Sequence, residues 1–353
     1  MLARVIGAGV AGLCAAYALA RKGVEVEIVE RESAPGLGCS RFAGGMIAPW
    51  CELESAEPLV ATLGEEALDF WSRELGIATI AGSLVVAPAR ERAELADFAR
   101  RTRNFESLDA KAIAALEPDL AGRFDAALFF RQEAHLDPRA ALVALTGRLA
   151  QLPNVTLHVQ QDAAALATIP DWVIDCRGFA ARDALPGLRG VKGEMLILRS
   201  DEISLTRPVR MLHPRRPVYV VPRGEGLFMV GATMIENEER ARVTARSVVE
   251  LVNSAFAVHP AFAEAEIVET GSDLRPAFAD NLPRLLKRGH TLYINGLYRH
   301  GFLLAPALAR RAAEVVVNDG YFPEVMDADS NQRAAAGCER DDVANAAGRT
   351  GVR

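Results

Sequence analysis

The first thirty residues constrain the fold more than any other stretch. Val5-Ile6-Gly7-Ala8-Gly9-Val10-Ala11-Gly12 leads into an apolar helix pattern, and Val24-Glu25-Val26-Glu27-Ile28-Val29-Glu30 follows. This is a strand, a glycine-rich turn, a helix and a second strand closing on an acid. Gly7 lets the chain turn sharply, Gly9 lets the backbone approach a pyrophosphate, and Gly12 brings helix and strand into close contact. The N–H groups at the helix start suit phosphate. Glu30 stands where a carboxylate can accept hydrogen bonds from both ribose hydroxyls of an adenosine. Together these features predict a Rossmann-like α/β unit that holds a dinucleotide.

With 353 residues the chain has room for two domains. Half of its residues are hydrophobic and 24% are charged, as in an ordinary soluble enzyme. A formal net charge of -6 offers no attraction for nucleic acid or an anionic membrane. Residues 5–20 are apolar but lack a basic leader, so no export signal is read and a cytoplasmic location is expected. No other apolar run is long enough to span a bilayer. The five cysteines (Cys14, Cys39, Cys51, Cys176 and Cys338) are odd in number and show no metal-ligand or CxxC spacing. The six histidines form no HxH or HxxxH pair, so reduced thiols and no metal site are expected.

Beyond residue 30 a Gly-, Ser- and Ala-rich loop covers residues 33–49. Residues 65–75 read as a helix and residues 82–87 as a strand. Asp109 and Asp137-Pro138 are N-cap signals for two further helices, with a strand at 126–130 between them. Residues 155–159 and 172–176 read as buried strands of the nucleotide unit, and Arg177-Gly178 falls at a strand's C-terminal end, where open α/β sheets bind ligands. From 194 to 234 the period is that of β-strands; residues 244–258 form a helix. A last strand at 291–296 and a glycine-rich turn precede a helix at 306–318. The nucleotide-binding domain is therefore discontinuous, with segments 1–45, 135–190 and 271–325. A mostly antiparallel substrate domain comprises 46–134 and 191–270, and residues 326–353 read as a disordered tail.

Several segments together resemble the glycine oxidase branch of the D-amino acid oxidase family. They are the 7–12 turn, Ala43-Gly44-Gly45-Met46-Ile47-Ala48-Pro49, Tyr219-Val220-Val221-Pro222-Arg223, Val230-Gly231-Ala232-Thr233-Met234, Asp273-Leu274-Arg275-Pro276, and residues 298–306. The resemblance implies noncovalent FAD, oxidative deamination of a small amino acid, reoxidation by oxygen, and often a homotetramer. In bacteria this branch supplies the imine of glycine for the thiazole of thiamine. Carried over residue by residue, the resemblance implies that Val10, Ala11, Glu30 and Arg31 meet the adenosine half of FAD, beside the cofactor-binding turn of Gly7, Gly9 and Gly12. Cys39, Ser40, Gly44, Gly45 and Met46 would line the path to the flavin. Leu297, Tyr298, Arg299, His300, Gly301, Phe302 and Leu303 would wrap its ring. Tyr219 and Arg275 would hold the substrate carboxylate, with Met234 as a wall and Arg299 nearby. The chain departs from the family at Ser40-Arg41-Phe42, where small residues are usual. It also has no cysteine in the final glycine-rich region, where covalent members attach their flavin.

The chemistry fits these residue types. A planar guanidinium makes two charge-assisted bonds to a carboxylate, and the flavin carries the hydride chemistry, so no catalytic base is assigned. Each residue also has a bland reading. Arg275 is also read as a structural ion-pair partner of Asp273 or Asp280, Tyr219 as a core aromatic, Met234 as core filler, and Arg299 as a solvated loop charge. His300 reads as a loop residue beside the flavin. Two functional alternatives stand beside an oxidase: a D-amino acid dehydrogenase using another acceptor, and a flavin-binding protein without turnover.

Overall fold

The computed structural model describes residues 1–240 and 242–327. The expected tail, apart from its first two residues, and Cys338 lie outside the described residues. Two sheets organise the molecule. The first has six strands in the order Arg284–Arg288, Thr291–Asn295, Trp172–Asp175, Leu2–Ile6, Glu25–Glu30 and Val155–Val159. All its pairings are parallel except that of the first two strands. Its strands come from the start, middle and end of the chain. The second sheet has eight strands in the order Glu266–Ala277, Arg189–Arg199, Leu227–Gly231, Val218–Gly224, Val209–Met211, Ser83–Val86, Ala126–Phe130 and Glu106–Asp109. Only Val209–Met211 with Ser83–Val86 is parallel there. Strands Arg189–Arg199 and Glu266–Ala277 run unbroken through 190–191 and 270–271, where the sequence places domain boundaries.

The opening unit follows the sequence closely: strand Leu2–Ile6, helix Val10–Arg21, strand Glu25–Glu30. Gly7 has φ +94°, and a Cβ there would meet the Cys176 carbonyl oxygen at 2.8 Å, so no other residue fits. A Cβ on Gly12 would lie 1.8 Å from the Gly7 carbonyl oxygen, the close helix–strand contact expected of it. Helices Val10–Arg21 and Gly301–Asn318 share one apolar core with the six-stranded sheet, built from Leu13, Leu19, Ile28, Ile174, Leu304 and Leu308 among others. A second core lies beneath helix Ala245–Val258, where Leu251, Ala255 and Val258 meet Val220, Phe228 and Phe262 of the antiparallel sheet and its surroundings.

The expected caps are in place. Asp109 accepts from the Ala112 N–H at 2.8 Å, and Asp137 from the N–H groups of Arg139 and Ala140 at 2.7 and 3.0 Å. Thr244 caps the helix Ala245–Val258.

Four expectations are corrected. The helix placed at 65–75 begins earlier, as Pro58–Leu68, because Pro58 fits its first turn, and continues as a π-helix over Asp69–Glu74. Strand Val155–Val159 is not buried: it is the outer edge of its sheet, with Leu157 and Val159 exposed. The last helix starts at Gly301, not Pro306, so the proline sits inside it. Proline has no N–H for the Phe302 carbonyl one turn back. The buried Trp71 indole supplies the missing donor, at 2.8 Å. The strand before Met234 ends at Gly231, which leaves Met234 in the following loop. Among the described residues no helix is long and apolar enough to cross a membrane. The four described cysteines are free thiols.

Candidate active site

A cleft of about 700 Å³ runs along the C-terminal ends of the parallel strands and under the antiparallel sheet. Every residue assigned to cofactor or substrate from the sequence lines it, except Gly12, which serves packing.

At one end stands Glu30, its two carboxylate oxygens oriented by the N–H groups of Ala8 at 2.7 Å and Glu32 at 3.0 Å. Each oxygen keeps a further acceptor site for a hydroxyl. Arg31 lies alongside, largely solvated. Next come Gly9, Val10 and Ala11 at the start of a helix that has no acidic residue in its first turn. The Ser40 hydroxyl accepts from the Val10 N–H at 3.1 Å and ties the 39–42 turn to that helix. The departure at Phe42 has a structural reason: a Cβ on Gly271 would meet the Phe42 ring at 2.4 Å, so the glycine opposite makes its room. The protein packed around Cys39, with Asp273 nearby, pushes its thiol up to about 12, so it stays protonated. Arg223 donates to the carbonyls of Gly44 at 2.8 Å, Ala43 at 3.3 Å and Leu136 at 2.9 Å, fixing the 43–45 segment that leads to Met46.

At the other end residues 297–303 close the cleft. Tyr298 holds a left-handed backbone at φ +50°, and strain of this kind collects at functional sites. Gly301, Phe302 and Leu303 open the 18-residue helix, which has neither a side-chain cap nor an acid in its first turn. Its N-terminal end therefore adds positive potential at the cleft wall.

The substrate-side residues come together here. Tyr219 pairs across the sheet with Gly231. Its ring passes between Gly231 and Gly44, where Cβ atoms would lie 2.9 and 2.8 Å away. Arg275 reaches in over Gly193, where a Cβ would come within 2.1 Å of its guanidinium. Among the described residues its one hydrogen bond goes from Nη1 to the Thr233 carbonyl at 3.0 Å. The structural ion pair considered for it is absent: Asp273 pairs with Arg240 and Asp280 with Arg284, each at 2.9 Å. Among the described residues Arg275 has no carboxylate partner. Met234 is 53% exposed at the rim, and its sulfur accepts from the Tyr298 hydroxyl at 3.4 Å.

Sequence reading missed Glu52. This buried carboxylate accepts from Arg299 at 2.7 Å, from His300 Nε2 at 2.8 Å and from Arg210 at 3.3 Å. Burial would raise its pKa, but Arg299, Arg210 and His300 outweigh that and hold it well below the usual carboxylate range. Burial keeps the His300 imidazole below its ordinary value against the pull of Glu52, so it is neutral near pH 7. The same Nε2 lies 3.1 Å from the Arg299 Nε–H, so it faces a donor and an acceptor together, while His300 Nδ1 is buried without a partner among the described residues. Arg210 did carry a signal, being a lone charge in the apolar strand Val209–Met211. Glu52 carried none beyond its place after Trp50-Cys51.

Comparison with known proteins adds to this geometry. The chain matches the FAD-dependent oxidoreductase family designated DAO over residues 4–315. It is 55% identical over 322 residues to a Rhizobium etli protein named as a thiamine biosynthesis oxidoreductase, ThiO, covering 91% of this chain and 98% of the relative. It is 26% identical over 369 residues to a glycine oxidase of Bacillus licheniformis, covering 94% of this chain and 97% of the relative. A crystal structure of glycine oxidase from Bacillus cereus shares the fold, with a TM-score of 0.77 over 91% of this chain and 96% of that one, at 21% identity. The cleft fits the family's cofactor. It is continuous from the Glu30 carboxylate, past the bare backbone at Gly7 and Gly9 and an acid-free helix start, to the second helix start at Gly301.

Proposed function

We infer that this chain, which belongs to the DAO family of FAD-dependent oxidoreductases, oxidises glycine and other small amino acids to their imines, with oxygen as the acceptor. The names of its relatives support a further step in the reading, that the glycine imine feeds the thiazole of thiamine. The observation that carries the substrate class is Arg275, a guanidinium at the cleft wall with no carboxylate of the protein's own among the described residues. Such a fork is suited to a substrate carboxylate, and the Tyr219 hydroxyl beside it supplies a second donor.

Bound FAD would accept the hydride equivalent that leaves the α-carbon. The protein's part is to hold and orient. Glu30 would take the ribose hydroxyls, and the start of helix Val10–Arg21 the pyrophosphate. The N-terminal end of helix Gly301–Asn318 favours negative charge where the flavin ring would lie. Arg275 and Tyr219 fix the carboxylate, so the α-carbon can face the ring. The amine can lose its proton to solvent before the C–H bond breaks, so no protein base is assigned. Met234, at the rim, sets how large a side chain the pocket admits.

An oxygen electrode tests this reading on the purified holoenzyme. Glycine should drive oxygen uptake with hydrogen peroxide formed in equal amount. Reduction of the flavin by glycine without oxygen uptake would identify a dehydrogenase instead.

A further inference from the structure

Two of the arginines that line the cleft, Arg275 and Arg299, differ in their surroundings. Arg275 has one backbone partner and no carboxylate among the described residues. Arg299 is engaged chiefly through Nη2, while its Nη1 reaches only the Met234 sulfur at 3.8 Å. Its Nη2 donates to Glu52 Oε2 at 2.7 Å and to the Ser55 hydroxyl at 2.6 Å, and its Nε lies 3.1 Å from His300. Glu52 itself lines the cleft and is only 7% exposed. Its second oxygen faces Arg210 at 3.3 Å. The charges of Arg275, Arg299, Glu52 and Arg210 all bear on the Tyr219 hydroxyl, so they act within one pocket.

We propose that Glu52 restricts this enzyme to amines carrying a single carboxylate. It does so in two ways. It holds and partly neutralises Arg299 through Nη2, which leaves Arg275 as the available carboxylate clamp. It also keeps a fixed negative charge where a second substrate carboxylate would seek Arg299. Specificity of this kind is built by repulsion as well as attraction, since a like charge placed against the wrong ligand is costly. Glu52 acts through Arg299 and is a positioning residue; it takes no part in the chemistry. The assignment rests on the reading of Arg275 as the clamp for a substrate carboxylate.

The test uses two matched ligand pairs on the holoenzyme. Acetate and malonate differ by one carboxylate, and their binding is read by calorimetry without turnover. Glycine and iminodiacetate, which is glycine bearing a second carboxymethyl group, are compared by kcat/KM. Wild type should bind acetate more tightly than malonate. Glu52→Gln keeps the side chain's shape and an acceptor oxygen but removes the charge. It should raise the malonate-to-acetate and iminodiacetate-to-glycine ratios by about tenfold or more, a change equal to about 1.4 kcal/mol. Adding Arg299→Gln to that variant should return both ratios toward wild type, which a merely structural role for Glu52 would not do. Unchanged ratios in a folded, yellow Glu52→Gln enzyme would overturn the proposal, as would a double variant that keeps the raised ratios. If the variant does not fold, wild type still decides: malonate bound as tightly as acetate refutes the assignment. Failure to oxidise glycine at all, with the binding ratios as stated, would count against the proposed function and leave this assignment standing.

Discussion

Arg275 and Glu133 are buried or half-buried charges with opposite consequences. Arg275 has a backbone partner and no carboxylate partner among the described residues. Arg275→Ala removes a charged pair whose loss typically costs about 2–5 kcal/mol. The KM for glycine and the Kd for acetate should rise by roughly two orders of magnitude, while the flavin spectrum stays that of wild type. Glycine kinetics and an acetate titration check this.

Glu133 is fully buried, and its Oε1 accepts from the N–H groups of Trp50 and Cys51 at 3.0 and 2.8 Å. Burial outweighs those bonds and pushes its carboxyl up to about 7. In the unfolded chain it returns to about 4.3. Between those values the folded protein keeps a proton that the unfolded chain has lost. The stability it contributes is thus complete at low pH and is lost as pH rises through about 7. Glu133→Gln keeps the accepting oxygen and removes this titration. Urea unfolding at about pH 5 and about pH 8 should show wild type losing on the order of 2–3 kcal/mol relative to the variant.

At the scale of elements, register places the clamp. Strand Arg189–Arg199 runs beside Glu266–Ala277 with Gly193 opposite Asp273, and the Arg275 side chain lies over the glycine. Gly193→Ala puts a methyl group where the guanidinium sits, so it should reproduce the substrate-affinity loss of Arg275→Ala with flavin binding intact. Acetate titration of the yellow protein decides it.

The last helix depends in turn on a neighbouring element. Its internal Pro306 leaves the Phe302 carbonyl to the Trp71 indole. Trp71→Phe keeps most of the apolar volume but strands a buried acceptor, which costs about 1–3 kcal/mol. Urea melts should show that loss. The sequence read Pro306 as a helix start because proline favours a first turn. Nothing local revealed that a tryptophan 231 residues away along the chain replaces the missing donor. The Asp137 and Asp109 caps were legible because capping is decided within three residues.

Over the whole molecule the same contrast holds. The 7–12 turn, Glu30 and the order of strands made the discontinuous nucleotide sheet legible, since each is a local pattern with one physical use. The cleft residues assigned from the family motifs converge on one site. The Glu52 cluster stayed hidden because its partners lie 158, 247 and 248 residues away. A carboxylate in sequence does not announce which guanidinium will neutralise it. Arg299 is therefore a residue whose presence in the cleft was legible and whose engagement was not. The two sheets meet at the cleft, one offering strand ends and helix starts, the other Tyr219 and Arg275. The cofactor would be held by the first and the substrate by the second. The most direct measurement is to add glycine anaerobically to the purified yellow protein and follow the flavin absorbance. Glycine should bleach it in wild type, and in Arg275→Ala only at roughly hundredfold higher concentration. The colour should return when air is admitted. Yellow protein that glycine leaves unbleached, or bleaching that is indifferent to Arg275, would contradict the assignment of this cleft to amino acid oxidation.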